Sequence, residues 1–253
     1  MCRGKKIIMA DYYDKWKRFI AERKQAPHQI YCDMDGVLVD FVRGALVSIN
    51  EDVNNAKLSD KKETGGMTDL GHLRRAMKRE GVDTVTEEHI EKFAGGHSKV
   101  RKYAIRHMYA SLSDDVDFWA NLPWMEGGRE LWDSIKKYEP YILTAPMGPG
   151  SEEGKRRWIR RNLSPSPKKI FMSHDKFKWA TDSGGNANIL IDDFMTNIGP
   201  WRENGGIAVH HDATDLQETY AELLRNGIEV LRAPESHEED PMSSMHDDDE
   251  DVI

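Results

Sequence analysis

Five short apolar runs, each leading into a helical pattern, constrain this chain more than any other feature of its sequence. They cover residues 29–33, 141–144, 169–172, 188–191 and 207–210. Short continuous apolar runs bounded by turn residues are what strands buried on both faces look like. Strands separated by helices imply crossover connections and therefore a parallel sheet. The intervening segments supply those helices: 126–138, 151–162, 175–181 and 215–225 carry apolar residues at helical spacing. The pattern predicts an α/β fold, a Rossmann-like three-layer α/β/α core with a parallel sheet.

One long stretch breaks the alternation. Between about 51 and 117 no β-branched run appears. Asn54-Asn55 and Gly65-Gly66 mark loops, and 70–79, 87–93 and 98–112 read as helices, the last with Val100, Tyr103, Ile105, Met108 and Leu112 as its apolar positions. This predicts a small helical cap inserted after the first strand; the other reading is that these helices are further layers of the core. The expected organisation is an N-terminal helix at 1–27, an α/β core at 28–50 and 118–232, the helical insert at 51–117, and an acidic tail at 233–253. In the first helix Tyr12, Trp16, Phe19 and Ile20 share one face, Asp11 is the expected cap, and Pro27 ends it. Phe41 to Asn50 reads as a further short helix.

The net charge of −8 comes from the tail. Residues 235–253 hold nine acidic residues and no Lys or Arg, so the rest of the chain stands near +1 (−8 + 9). Such a tail is expected to be disordered, with weak metal binding at His237 and His246 as its other reading. A nearly neutral body argues against an extended nucleic-acid groove. No apolar run approaches the roughly 20 residues that span a bilayer, and the first ten residues make a poor signal peptide. Cys2 and Cys32 do not form a disulfide framework, and Cys32 reads as a small core residue. These observations favour a reducing, cytoplasmic setting. A homodimer is compatible with them.

The chemistry gathers at strand ends. The first run ends in Asp33-Met34-Asp35-Gly36, the second in Thr144 followed by Ala145, and the fourth in Asp192-Asp193. In an open parallel sheet, ligands bind beyond the carboxyl ends of the strands. By itself an Asp-x-Asp-Gly also fits a turn with solvated aspartates. Four carboxylates on one sheet edge, however, repel one another unless a cation sits among them, and hard oxygen donors beside a phosphate suit Mg²⁺. A hydroxyl at 144 and a lysine upstream of 192 then serve the far side of a phosphoryl group, which is a phosphoryl-transfer layout. Lys176 and Lys178 both stand near the required place. Lys176 is preferred because it opens the short helix near a strand end; the roles can also reverse.

These residues, in this order, resemble the haloacid dehalogenase-like (HAD) hydrolase superfamily. Within it the likeness is nearest to the 5'(3')-deoxyribonucleotidases. It is carried by Asp33 to Phe41, Leu122-Pro123-Trp124 with Gly127, Leu143 to Pro146, Lys155 and Trp158, and Leu190 to Asp193 with Asn197, Trp201 and Gly205-Gly206. The resemblance implies Asp33 as nucleophile, Asp35 as general acid and then base, and Thr144 with the lysine as phosphate contacts. It also implies Mg²⁺ held by Asp33, the backbone carbonyl of Asp35 and Asp193, with Asp192 on the metal or behind it. The second aspartate marks phosphatases rather than dehalogenating members. Phe41 and Ala145 are the expected substrate-side residues, although Phe41 also reads as a core residue at a helix start. Arg101, Arg106 and His107 on the cap read either as base or sugar contacts or as a solvated face, and Trp201 reads as core. The implied activity is Mg²⁺-dependent dephosphorylation of nucleoside monophosphates through an aspartyl-phosphate. Another small phosphorylated metabolite, a nucleic-acid 3'-phosphate, and a non-catalytic binding protein on the same fold remain the alternatives.

Overall fold

A computed structural model describes residues 28–58, 68–90 and 98–230. The expected N-terminal helix, the acidic tail with its two histidines and the end of the expected 87–93 helix lie outside the described residues.

Five parallel strands form one sheet: β1 (Ile30–Cys32), β2 (Tyr141–Thr144), β3 (Ile170–Met172), β4 (Ile189–Asp192) and β5 (Ile207–His210), in the order β3-β2-β1-β4-β5. Each lies within a residue or two of its expected run. The order places β1 at the centre, flanked by the two strands that end in Thr144 and Asp192. Registry keeps those ends level, with Cys32 paired to Ile142 on one side and to Ile191 on the other. Side chains alternate across a strand, so β1 sends Ile30 and Cys32 to one face and Tyr31 to the other. The first face packs a core that includes Ile142, Ile191, Trp119, Trp132, Trp158 and Tyr220. The second packs Leu143, Leu190, Ile198 and Trp201. Both faces being covered explains why the strands read as unbroken apolar runs rather than alternating ones. Trp201 is core, as expected, and Cys32 is a buried free thiol.

The helices are α1 (Phe41–Leu58), α2 (Asp69–Glu80), α3 (Lys99–Leu112), α4 (Val116–Ala120), α5 (Gly128–Ile135), α6 (Pro149–Asn162), α7 (Met195–Glu203) and α8 (Leu216–Arg225). The expected helix at 175–181 is a shorter 3₁₀ turn, Lys176–Trp179, and at 87–93 the described part is a 3₁₀ turn at Glu87–His89. The boundary expected at residue 50 falls inside α1. Its Ala45, Ile49 and Val53 join Leu73, Met77, Val100, Ala104 and Met108 in a separate helical core, so the helical layer starts at α1 itself. Asp40 caps α1 by accepting the N–H of Arg43 at 2.8 Å. Phe41, Phe118 and Met147 pack against both this core and the sheet core. Among the described residues no helix is long and apolar enough to cross a membrane.

Candidate active site

Asp33 stands one residue past β1 but is still held as a strand residue, its N–H donating to Ile191 O at 2.9 Å. The chain then folds tightly back. Met34 O accepts the N–H groups of Leu38 at 2.8 Å and Val39 at 2.9 Å, and Gly36 N–H donates to Val39 O at 2.9 Å. Asp40 N–H to Pro123 O (3.0 Å) and Met125 N–H to Leu38 O (2.9 Å) pin the far side of this loop. Gly36 is required twice over. Its φ is +74°, and a Cβ there would lie 2.2 Å from Asp193 Oδ2. Glycine alone supplies both the left-handed turn and the room for that carboxylate.

Two buried lysines divide the site. On one side the carboxylates of Asp33, Asp192 and Asp193 bring oxygens within 4.8 Å of one another. Lys176 Nζ lies 2.8 Å from Asp33 Oδ1 and 2.6 Å from Asp192 Oδ2, and is itself buried. Burial alone would lower the lysine's pKa, but the flanking Asp33 and Asp192 outweigh it and keep the ammonium charged well above the usual range. Asp192 is fully engaged: besides Lys176 it accepts from Phe194 N–H at 2.9 Å and from Asn197 Nδ2 at 3.0 and 3.1 Å. Its oxygens are therefore committed to holding Lys176 and the start of α7, leaving Asp33 and Asp193 with the freer ones. Burial, then repulsion from Asp33 and Asp192, pushes the Asp193 carboxyl up to about 8. Burial and Asp33 raise Asp192 as well. One ammonium does not neutralise three gathered carboxylates. Hard oxygen donors with surplus negative charge fit a hard cation, so these residues can hold a metal ion.

On the other side lies Lys155 of α6, with no exposed side chain. Its Nζ donates to Asp35 Oδ2 (2.5 Å), Thr144 Oγ1 (2.9 Å) and Ala145 O (2.6 Å). The Asp35 carboxylate thus turns away from the acidic cluster. Burial raises its pKa and Asp33 adds to the rise, while Lys155 offsets part of it.

The structure brings Asp33, Asp35, Thr144, Lys176, Asp192 and Asp193 to one sheet edge. It does not bring Lys178, which pairs with Asp175 at 2.7 Å on the surface. Phe41 stacks on Trp119 (centroids 5.1 Å, planes 10° apart) and meets Phe118 edge-on at 6.2 Å, so its ring is used at the junction of the two cores. Arg106 pairs with Asp69 at 3.0 Å, and His107 with Asp52 at 2.9 Å; both tie cap helices together.

Sequence reasoning gave no site role to Lys155 or Asn197. A signal for Lys155 existed. It shares one helix face with Ser151 and Trp158, at i−4 and i+3, where a lysine has no reason to be unless it has a buried partner. The four arginines nearby, at 156, 157, 160 and 161, make it look like one more surface cation. Asn197 stands among the residues that carry the resemblance, but its helix was not expected, so nothing in the sequence set its side chain against Asp192.

Fold and site together define a three-layer α/β protein. Its central strand delivers an aspartate to a cluster of three carboxylates at the carboxyl edge of the sheet that could hold a metal ion. No protein-family model matches the chain, and no curated protein does. Among solved structures it is similar to a HAD family hydrolase from Deinococcus radiodurans R1 with bound phosphate and sodium (13% identity, 81% of this chain and 99% of that one, TM-score 0.43). It is similar to a hydrolase from Streptococcus pneumoniae TIGR4 (11% identity, 78% and 100%, TM-score 0.43). A third likeness is to a HAD family enzyme from Bacteroides thetaiotaomicron in complex with magnesium and inorganic phosphate (14% identity, 74% and 94%, TM-score 0.37).

Proposed function

We propose that this chain is a HAD-like, Mg²⁺-dependent phosphomonoesterase that works through an aspartyl-phosphate, with nucleoside monophosphates as its substrate class. The observation that carries this reading is the position of Asp33. Its carboxylate belongs to the acidic cluster and contacts Lys176 at 2.8 Å, while Asp35, two residues on, lies outside that cluster against a second lysine. A nucleophile, a cation site and a separately held acid are the parts a phosphoryl transfer needs.

Mg²⁺ would be held by Asp33 and Asp193, with the Asp35 backbone carbonyl and with Asp192 behind them, and when bound it offsets the charge of the transferred phosphoryl group. Lys176, 2.8 Å from Asp33 Oδ1, holds that carboxylate aimed at phosphorus. An oxygen of Asp33 attacks, the bond from phosphorus to the leaving oxygen breaks, and that oxygen takes its proton from Asp35. Burial, which raises Asp35, supports the protonated form this step requires. Water then attacks the phosphorus of the aspartyl-phosphate and gives a proton to Asp35, releasing phosphate and restoring Asp33. Thr144, buried at the end of β2, donates its hydroxyl to a phosphate oxygen.

The nucleotide part of the reading rests on the sequence resemblance in 29–50 and 117–212. The test is phosphate release from a panel of nucleoside 5'- and 3'-monophosphates and sugar phosphates, with Mg²⁺ and with EDTA. Release confined to sugar phosphates would replace the substrate class. No release from any member with Mg²⁺ present would favour a non-catalytic binding protein.

A further inference from the structure

We propose that Lys155 is a positioning residue: it anchors the Asp35 carboxyl group through Oδ2, which leaves Oδ1 to serve the leaving oxygen, and it turns the Thr144 hydroxyl toward the phosphoryl group. The inference rests on the phosphomonoesterase reading above.

An ammonium has three N–H donors. Lys155 has three acceptors within hydrogen-bond distance: Asp35 Oδ2, Thr144 Oγ1 and Ala145 O, at 2.5, 2.9 and 2.6 Å. While those bonds stand it has no donor left for a ligand, so its effect on the reaction passes through its neighbours. The side chain is fully buried on α6, which keeps water from competing for any of the three.

The consequence for Asp35 is an asymmetry between its two oxygens. Oδ2 is tied to a cation. Oδ1 is buried and has no hydrogen-bond partner among the described residues. A carboxyl group that accepts from an ammonium through one oxygen carries its proton on the other. Asp35 therefore protonates the leaving oxygen from Oδ1 as the phosphorus–oxygen bond breaks. The bonding pair stays on that oxygen, and the carboxylate left behind is met by the ammonium already in contact with Oδ2. Thr144 is set in the same way. Its oxygen accepts from Lys155, so its single O–H points away from the lysine and is available as a donor. The bond to Ala145 O holds the backbone that follows β2, and with it the position of Thr144.

The experiment compares two substrates in wild type, Lys155→Met and Asp35→Asn, with Mg²⁺ present. Nucleoside 5'-monophosphate has an alkoxide leaving group that needs a proton; p-nitrophenyl phosphate has one that departs without it. General acid catalysis is worth roughly 10²–10⁴-fold. The expected result is that Lys155→Met loses at least about 10²-fold in kcat/KM on the nucleotide but much less on the aryl ester, as Asp35→Asn does. Equal losses on both substrates, or no loss, would overturn the assignment while leaving the phosphatase reading intact. Wild type inactive on both would overturn both. Lys155→Gln, which removes the charge but keeps a neutral NH₂ group with two N–H donors, serves the same comparison if the methionine variant does not fold.

Discussion

Replacing Gly36 with alanine tests whether the loop after β1 and the acidic cluster are one construction. Two costs are separable. At φ +74° an alanine pays for a left-handed conformation, about 1–2 kcal/mol. Its Cβ would also lie 2.2 Å from Asp193 Oδ2 and 2.5 Å from Asp193 Cγ, forcing the carboxylate aside at about 1–3 kcal/mol for an overpacked site. Together these give about 2–5 kcal/mol. Gly81 is the control: its φ is +69° and nothing lies within 4 Å of its Cβ position, so Gly81→Ala carries only the first cost. The assay is thermal and urea unfolding of both variants, each with EDTA and with saturating Mg²⁺. A cation at 100 times its Kd stabilises the folded state by about 2.7 kcal/mol. Wild type and Gly81→Ala are expected to show a gain of that order, and Gly36→Ala to lose most of it because Asp193 has moved. If Gly36→Ala cost no more than Gly81→Ala and kept its full response to Mg²⁺, the loop and the carboxylate cluster would not be coupled.

Three further outcomes follow from the charges. The Asp193 carboxyl is raised from 3.8 to about 8, so the metal-free protein is most stable below about pH 4 with respect to this group and loses stability as pH climbs to 8. Because Asp193 is partly exposed and screened, the expected effect is about 1–3 kcal/mol, and Asp193→Asn should remove that slope together with the Mg²⁺ response in denaturation curves taken from pH 5 to 8. His211 is buried with its pKa lowered from 6.5 to about 4, first by burial. Its contribution is present above pH 6.5 and is lost as pH falls toward 4, by about 3 kcal/mol at about 1.4 kcal/mol per pH unit; His211→Gln should flatten that acid limb. Lys176→Met leaves Asp33 and Asp192 buried without their cation, and should cost about 3–5 kcal/mol and abolish turnover. Retained turnover in that variant would remove Lys176 from the site.

The sheet was legible because its strands are buried on both faces. Ile30 to Cys32, Ile142-Leu143 and Ile189 to Ile191 had to be apolar without interruption, and that leaves a clear trace. The site was legible for a related reason, since strand ends deliver Asp33, Thr144, Asp192 and Asp193 to one edge whatever the helices do. What was hidden depends on packing. Helix α7 carries Gly199 and Pro200 and little amphipathic pattern, so it did not stand out, and Asn197, although part of the resemblance, had no element to place it beside Asp192. Helix α1 runs past residue 50 because Val53 has a partner in the cap, a contact between segments distant in sequence. Lys155 was hidden by its own neighbours, a buried cation among exposed ones. Phe41 was open to two readings, a substrate-side ring or a core residue at a helix start, and the structure stacks it on Trp119 at the junction of the two cores.

The central claim is that Asp33 becomes the phosphorylated residue, and rapid-quench labelling tests it most directly. The protein would be mixed with a radiolabelled phosphomonoester and Mg²⁺, quenched in acid and digested. The account predicts a hydroxylamine-labile label on the peptide containing Asp33, and none in Asp33→Asn. Phosphate release without any labelled protein, or a label that persists in Asp33→Asn, would contradict it.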